Sequence, residues 1–242
     1  MLFGVATDIG RVRKVNEDNF FIGTDENFPY IVVADGMGGH RAGEVASRMA
    51  IEVIDTELTK NLNTDLDYVE VGEVIRQAFI SANSAIYTYS KANFKVMGMG
   101  TTLTLAMVYQ NKIIIAHVGD SRVYALDDKA IKQITKDHSY VQELVQRGEI
   151  TKEQAKNHPQ KNYITRAMGV EDIIKVDIII KPYNGEKIVA CSDGLTNMLD
   201  DNEIFDIIND ATDSQTAAET LVEKANEAGG YDNITVAVME RN

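Results

Sequence analysis

Eight short apolar runs constrain the fold of this chain more than any other feature. They fall at 2–6, 30–34, 103–109, 113–118, 122–126, 173–180, 188–191 and 234–239, and are bounded mainly by Gly, Asp or Asn. They are rich in Val and Ile and too short for ordinary helices, so they read as strands. Longer stretches between them carry helical spacing. Ala46, Met49, Ala50 and Val53 form one such face; Val71, Val74, Ile75, Ala78, Ala82, Ala85, Ile86 and Tyr89 a second; Ala217, Ala218, Leu221, Val222 and Ala225 a third. Two helices fall together after the first strands, and two more precede the last strand. That order is not the alternation of a parallel α/β sheet. It predicts an α+β fold with antiparallel sheets covered by helices. Asn184-Gly185 reads as a hairpin turn between two of the runs, and Asp127-Asp128 as another turn.

The segment 139–166 differs from its surroundings. It is poorer in apolar residues, and Ser139 with Gln142 and Thr151 with Gln154 are spaced as capping boxes. It reads as a surface insertion holding two short helices. With only three prolines and no linker-like stretch, residues 1–242 read as one domain.

Net charge is −13, from 24 basic and 37 acidic residues, which argues against nucleic acid as a partner. The single cysteine, Cys191, excludes an internal disulfide. No apolar run approaches the length of a membrane span, and the N-terminus does not read as a signal peptide. A cytoplasmic location is expected.

The acidic residues are placed unevenly. Asp35, Asp120, Asp193 and Asp232 each stand at the tip of a run, in an Asp-Gly, Gly-Asp or Asp-Asn step. One such aspartate is a turn former. Four suggest a shared site, because carboxylates gathered at one edge repel one another unless cations lie among them. Carboxylate and backbone oxygen are hard ligands, suited to Mg²⁺ or Mn²⁺. Such ions would attract a phosphate dianion and acidify a bridging water. Arg13, four residues before Glu17, is either a surface ion-pair partner or a guanidinium fork for phosphate.

Other readings are weaker. The segment 35–40, Asp-Gly-Met-Gly-Gly-His, lacks the Lys-Ser/Thr of a P-loop, and Arg41 stands where a dinucleotide fingerprint needs its third glycine. Asp137-His138-Ser139 has the residue types of a catalytic triad, but adjacent residues cannot converge as one; Ser139 is more simply a helix N-cap. Cys191 lacks the arginine six residues on that a cysteine phosphatase would carry, because Asn197 is there.

The ordered set Arg13, Asn16-Glu17-Asp18, Asp35-Gly36-Met37-Gly38-Gly39, Gly100-Thr101-Thr102, Gly119-Asp120-Ser121-Arg122, Asp137-His138-Ser139, Ser192-Asp193-Gly194 and Asp232-Asn233-Ile234-Thr235 resembles the metal-dependent Ser/Thr protein phosphatases of type 2C, in their compact bacterial form. The resemblance runs from about residue 3 to 239. It implies a four-layer α-β-β-α sandwich and hydrolysis of phosphoserine and phosphothreonine by a metal-bridging water at a binuclear Mn²⁺ or Mg²⁺ centre. It also implies a third, weaker ion and a Hanks-type Ser/Thr kinase as the opposing enzyme. A monomer is expected.

Carried over residue by residue, Asp35 would bridge the two tight ions, Gly36 would offer a carbonyl, and Asp193 and Asp232 would bind the second ion. Glu17 would hold a metal-bound water and Arg13 the phosphate. Asp120 with Asp193 would hold the third ion, and 139–166 would be the flap. Where eukaryotic relatives carry a histidine after the Asp-Gly pair, this chain has Met37; His40 is the candidate substitute as general acid. A catalytically silent phospho-binding scaffold and a small-phosphoester hydrolase are the alternatives on the same fold.

Overall fold

The computed structural model describes residues 1–38 and 42–241. Its elements, in chain order, are β1 (Leu2–Asp8), β2 (Asp18–Gly23), β3 (Tyr30–Met37), α1 (Ala42–Asn61), α2 (Tyr68–Ala92), β4 (Gly100–Thr101), β5 (Leu103–Tyr109), β6 (Lys112–Val118), β7 (Arg122–Leu126), β8 (Ile131–Gln133), α3 (Tyr140–Gln146), α4 (Lys152–Lys156), β9 (Asp177–Pro182), β10 (Lys187–Cys191), α5 (Asp193–Thr196), α6 (Asp201–Asp210), α7 (Ser214–Glu227) and β11 (Ile234–Glu240). One sheet has the order β1-β11-β10-β7-β8. The other has β2-β3-β5-β6-β9, with β4 paired to β3. All the pairings are antiparallel.

The strands read as unbroken apolar runs because both of their faces are covered. Side chains alternate across a strand. In β3, Tyr30, Val32 and Ala34 pack toward α1 and α2, whereas Ile31 and Val33 face the other sheet. In β10, Val189 and Cys191 face the C-terminal helices, and Ile188 and Ala190 face inward. Three apolar layers result: one under α1 and α2, one between the sheets, and one under α5 to α7. This is the expected α-β-β-α sandwich. Fully burying one Ile, Leu or Val contributes about 1.5–3 kcal/mol, so these layers dominate cohesion.

Several local expectations need correction. Asn184-Gly185 does not close a hairpin. It carries the chain from β9 in one sheet to β10 in the other, and of the two residues only Gly185 has positive φ, whereas the hairpin turn needs both. The strand expected over 173–180 starts at Asp177, and Ile173 is exposed. β2 and β8 escape sequence reading because polar residues interrupt their short apolar content. Thr151 forms a full capping box with Gln154, whereas Ser139 only accepts from the Gln142 N–H. Among the described residues, no helix is long and apolar enough to cross a membrane.

Candidate metal and phosphate site

The apolar filling between the sheets gives way to polar groups at one end. Pairing register brings the start of β2 beside the end of β3, with Asp18 opposite Asp35. It sets the end of β10 beside the start of β7, with Cys191 opposite Arg122. Asp120 follows β6, Asp193 follows β10, and Asp232 precedes β11. Hydroxyl groups fasten the sheets here. Ser192 Oγ donates to Asp18 Oδ2 at 2.8 Å, Thr102 and Ser121 hydroxyls lie 2.7 Å apart, and the Asp35 N–H donates to Thr102 Oγ1 at 2.9 Å.

The sequence-predicted aspartates therefore share one site, and Asp18 joins them. Burial pushes the Asp18 carboxyl up to about 7, with Asp193 and Asp232 adding to the effect. Asp193 is raised to about 6 by burial and by Asp232, although its Oδ2 accepts from Asn197 Nδ2 at 2.9 Å. Asp35 and Asp120 are also raised well above the usual carboxylate range, first by burial and then by neighbouring aspartates. Like charges so placed oppose ionisation unless a cation compensates.

Among the described residues, no group of three or more His, Cys, Asp or Glu side chains is arranged to hold a metal ion as it stands. The fit to divalent ions rests on the donor chemistry. The donors are hard oxygens, and Mg²⁺-type sites use one or two carboxylates with water completing the shell. Two buried carboxylate oxygens, Asp18 Oδ1 and Asp120 Oδ1, have no hydrogen-bond partner among the described residues. Buried acceptors ordinarily have one, and a hydrated cation would supply it.

Arg13 and Glu17 flank this cluster but do not pair as the i,i+4 spacing suggested. Arg13 Nη2 donates to Asp232 Oδ2 at 2.7 Å. That bond raises the guanidinium pKa further, outweighing the opposing effect of burial. Glu17 Oε1 accepts the Gly43 N–H at 3.1 Å, at the start of α1, where the helix dipole favours a carboxylate. Burial nevertheless raises Glu17. Gly36 is packed so closely that a Cβ would collide with the carbonyl oxygens of Gly43 and Glu17. Its backbone N–H donates to the Glu17 carbonyl at 3.1 Å, tying β3 to the segment that carries Glu17.

Two residues outside the predicted site organise it. His138 donates its backbone N–H to the Gly119 carbonyl at 2.7 Å, and its ring Nδ1 accepts the Gly119 N–H at 3.0 Å. Gly119 has φ +114°, and this double contact holds the turn that presents Asp120. The second is Asn233, whose side chain bonds to three backbone groups of 9–17. In the sequence both stand only as members of motifs, His138 also within the dismissed triad, and neither is given a role there. Asp18 had a signal in the Asn16-Glu17-Asp18 run. His40, with Gly39 and Arg41, lies outside the described residues.

The segment 139–166 leaves and rejoins the body at paired stems, with Ser139 bridged to Ile164 and the Thr165 N–H donating to the His138 carbonyl. Between it and the start of α6 lies a groove of about 700 Å³, lined by Asp120 and Asp193 together with Lys152, Lys156 and Lys161.

The protein phosphatase 2C family model matches residues 10–228. The serine/threonine phosphatase stp of Listeria welshimeri is 43% identical over 238 residues, covering 98% of this chain and 94% of the relative. The crystal structure of serine/threonine phosphatase Stp1 from Staphylococcus aureus superposes with a TM-score of 0.94 at 35% identity, covering 100% of this chain and 96% of that one. A crystal structure of the PstP catalytic domain in complex with two manganese ions gives a TM-score of 0.83 at 34% identity, covering 98% and 96%. The chain therefore belongs to the protein phosphatase 2C family of metal-dependent Ser/Thr phosphatases, among its bacterial members.

Proposed function

We propose that this protein hydrolyses phosphoserine and phosphothreonine in proteins at a binuclear Mn²⁺ or Mg²⁺ centre. The observation that carries this reading is the gathering of Asp18, Asp35, Asp120 and Asp193 near Asp232 at one end of the two sheets, where burial first and neighbouring aspartates second raise the carboxyls of Asp18, Asp35, Asp120 and Asp193. Asp35, the Gly36 carbonyl, Asp193 and Asp232 would hold two ions. Asp120 would hold a third, weaker ion with Asp193. When bound, the ions would acidify a water and neutralise phosphoryl charge.

The chain's own residues supply position and selectivity. Arg13, fixed against Asp232, would present its remaining N–H groups to phosphate oxygens. Glu17 would orient a water at the head of α1. Asp18, buried and bound by Ser192, would add negative charge beneath the cluster. The flap groove would accept the polypeptide flanking the phosphorylated residue. The reading includes a cytoplasmic monomer opposed by a Hanks-type Ser/Thr kinase, over a single catalytic domain. His40 would be one candidate proton donor.

The test is an assay of chelated protein on phosphopeptides, sugar phosphates and nucleotides, before and after adding Mn²⁺. Metal-restored hydrolysis of the phosphopeptides, exceeding that of the small phosphates, is expected. Preference for a small phosphate would establish the alternative hydrolase, and inactivity on every substrate with Mn²⁺ the silent scaffold.

A further inference from the structure

Residues 9–17 carry Arg13 and Glu17 to the site without forming any helix or strand. What holds such a segment must be sought in side-chain bonds, because every backbone polar group needs a partner. Asn233, only 5% exposed, supplies three. Its Nδ2 donates to the carbonyls of Ile9 at 2.9 Å and Val15 at 3.0 Å, and its Oδ1 accepts the Glu17 N–H at 2.8 Å. One amide thus gathers the entry and the exit of the segment, with Arg13 between them. The capacity of Nδ2 is fully used, since both of its hydrogens are engaged.

Glu17 at the exit is also held by its carbonyl, which accepts the Gly36 N–H at 3.1 Å and the Ser47 hydroxyl at 2.6 Å, and by its Oε1, which accepts the Gly43 N–H; elsewhere the ties are sparser. The Arg11 N–H donates to the Gly230 carbonyl at 2.7 Å, the Gly10 N–H to Asp8 Oδ1 at 2.8 Å, and Asn16 Nδ2 to Thr7 Oγ1 at 2.9 Å. None of these spans both ends. The backbone N–H of Asn233 also donates to Asp232 Oδ1 at 2.8 Å, while Arg13 takes Oδ2. Asn233 therefore lies where the segment bearing Arg13 meets the carboxylate that Arg13 grips.

We infer that Asn233 is a positioning residue for phosphate binding: its side-chain amide closes the 9–17 segment and so sets the Arg13 guanidinium beside Asp232. This deepens the phosphatase reading and rests on it. Aspartate is nearly the same shape but cannot substitute. It keeps the acceptor for Glu17 and turns a second carboxylate oxygen toward the Ile9 and Val15 carbonyls, replacing two hydrogen bonds with repulsion.

The experiment is a double-mutant cycle of Asn233→Ala with Arg13→Ala on Mn²⁺-loaded protein. It reads KM for a phosphopeptide, inhibition by inorganic phosphate, and kcat. Alone, Asn233→Ala should raise KM and the phosphate inhibition constant about tenfold, with a smaller change in kcat. In the Arg13→Ala background it should add less than about twofold, because residues acting as one unit are not additive. In the metal-free protein, hydrogen exchange at the Glu17 amide should speed up while β11 amides stay protected. Asn233→Asp should reproduce the KM and phosphate effects. Effects that multiply across the cycle, or an unchanged phosphate inhibition constant, would overturn the assignment. Loss of folding in both variants would show a structural requirement instead, and would overturn it too. If wild-type protein with Mn²⁺ hydrolyses no phosphopeptide, it is the phosphatase reading that falls, and the exchange measurement still reports on the clamp.

Discussion

The Arg13 guanidinium lies 2.7 Å from Oδ2 of Asp232, so the group proposed to grip phosphate is also bonded to a proposed metal ligand. Both side chains are partly exposed, at 50% and 33%, so solvent screens the attraction. The bond matters more for direction than for stability. It points the carboxylate, whose other oxygen already accepts the Asn233 N–H.

Arg13→Ala should therefore act on two ligands. KM and the phosphate inhibition constant should rise about tenfold, as expected when a charge-assisted fork is lost. The Mn²⁺ concentration for half-activation should rise as well, by a few fold, because Asp232 loses its orienting partner. Arg13→Lys should restore part of the metal response and less of the phosphate binding, since an ammonium cannot form the fork. An unchanged metal-activation curve in Arg13→Ala would show that Asp232 is held without Arg13.

The crowded carboxylates predict how the metal-free protein responds to pH. Asp18 is raised from 3.8 to about 7 and Asp193 from 3.8 to about 6. A folded-state pKa above the unfolded value means that the folded form binds more protons between the two values. Stability is then fully present below about pH 4 as regards these groups and is lost as pH rises toward 7. Chelated protein should melt roughly 5 °C or more lower at pH 8 than at pH 5. Saturating Mn²⁺ should reverse that slope. Asp193→Asn should raise the melting temperature of chelated protein at pH 8 and lower turnover about 100- to 1000-fold with Mn²⁺. A melting temperature independent of pH in chelator would contradict the crowding.

How much of this site could be read in advance follows from what kind of information each residue carries. The aspartates at the strand tips were legible because each interrupts an apolar run beside a glycine or asparagine, so their placement at strand ends is local. Their convergence is a matter of register, and one sequence does not contain it. Asn184-Gly185 shows the same limit: the turn is local, but which sheet the next strand joins is decided by burial on both faces. The roles of Asn233 and His138 were illegible for another reason. The bonds by which these residues organise the site go to backbone groups of Ile9, Val15, Glu17 and Gly119, and backbone groups leave no trace in residue identity.

The flap groove is where substrate choice can act. Lys152 lines it, but Gln146 and Arg147 do not, and Arg147 pairs instead with Glu143 and Glu149. Lys152→Glu and Lys156→Glu should change rates on phosphoproteins by about threefold or more while leaving a small aryl phosphate within twofold, because flanking polypeptide meets this wall and the aryl group does not. Arg147→Glu should change neither. Equal losses on both substrates would place the lysines in the chemistry rather than in selection.

Asp120 offers the sharpest separation of substrates. It is 7% exposed, its Oδ1 has no hydrogen-bond partner among the described residues, and Asp193 is the first neighbouring charge to raise its pKa. The turn that presents it is held by the two Gly119–His138 hydrogen bonds, so truncating the carboxylate should leave the backbone in place. Asp120 is absent from the proposed ligands of the two tight ions, Asp35, Gly36, Asp193 and Asp232. Its loss should therefore remove only a weaker third ion. The chemical consequence depends on the leaving group. A serine alkoxide is a strong base and needs a proton as it departs, whereas an aryl oxide leaves with little help. Met37 has no proton to give. If Asp120 organises the proton supply, Asp120→Ala should slow phosphoserine peptides about tenfold more than aryl phosphates. Calorimetric titration should find one weak Mn²⁺ site fewer, with the two tight sites intact. Unchanged stoichiometry at saturating Mn²⁺, together with equal slowing on both substrates, would assign Asp120 to the shape of the turn alone.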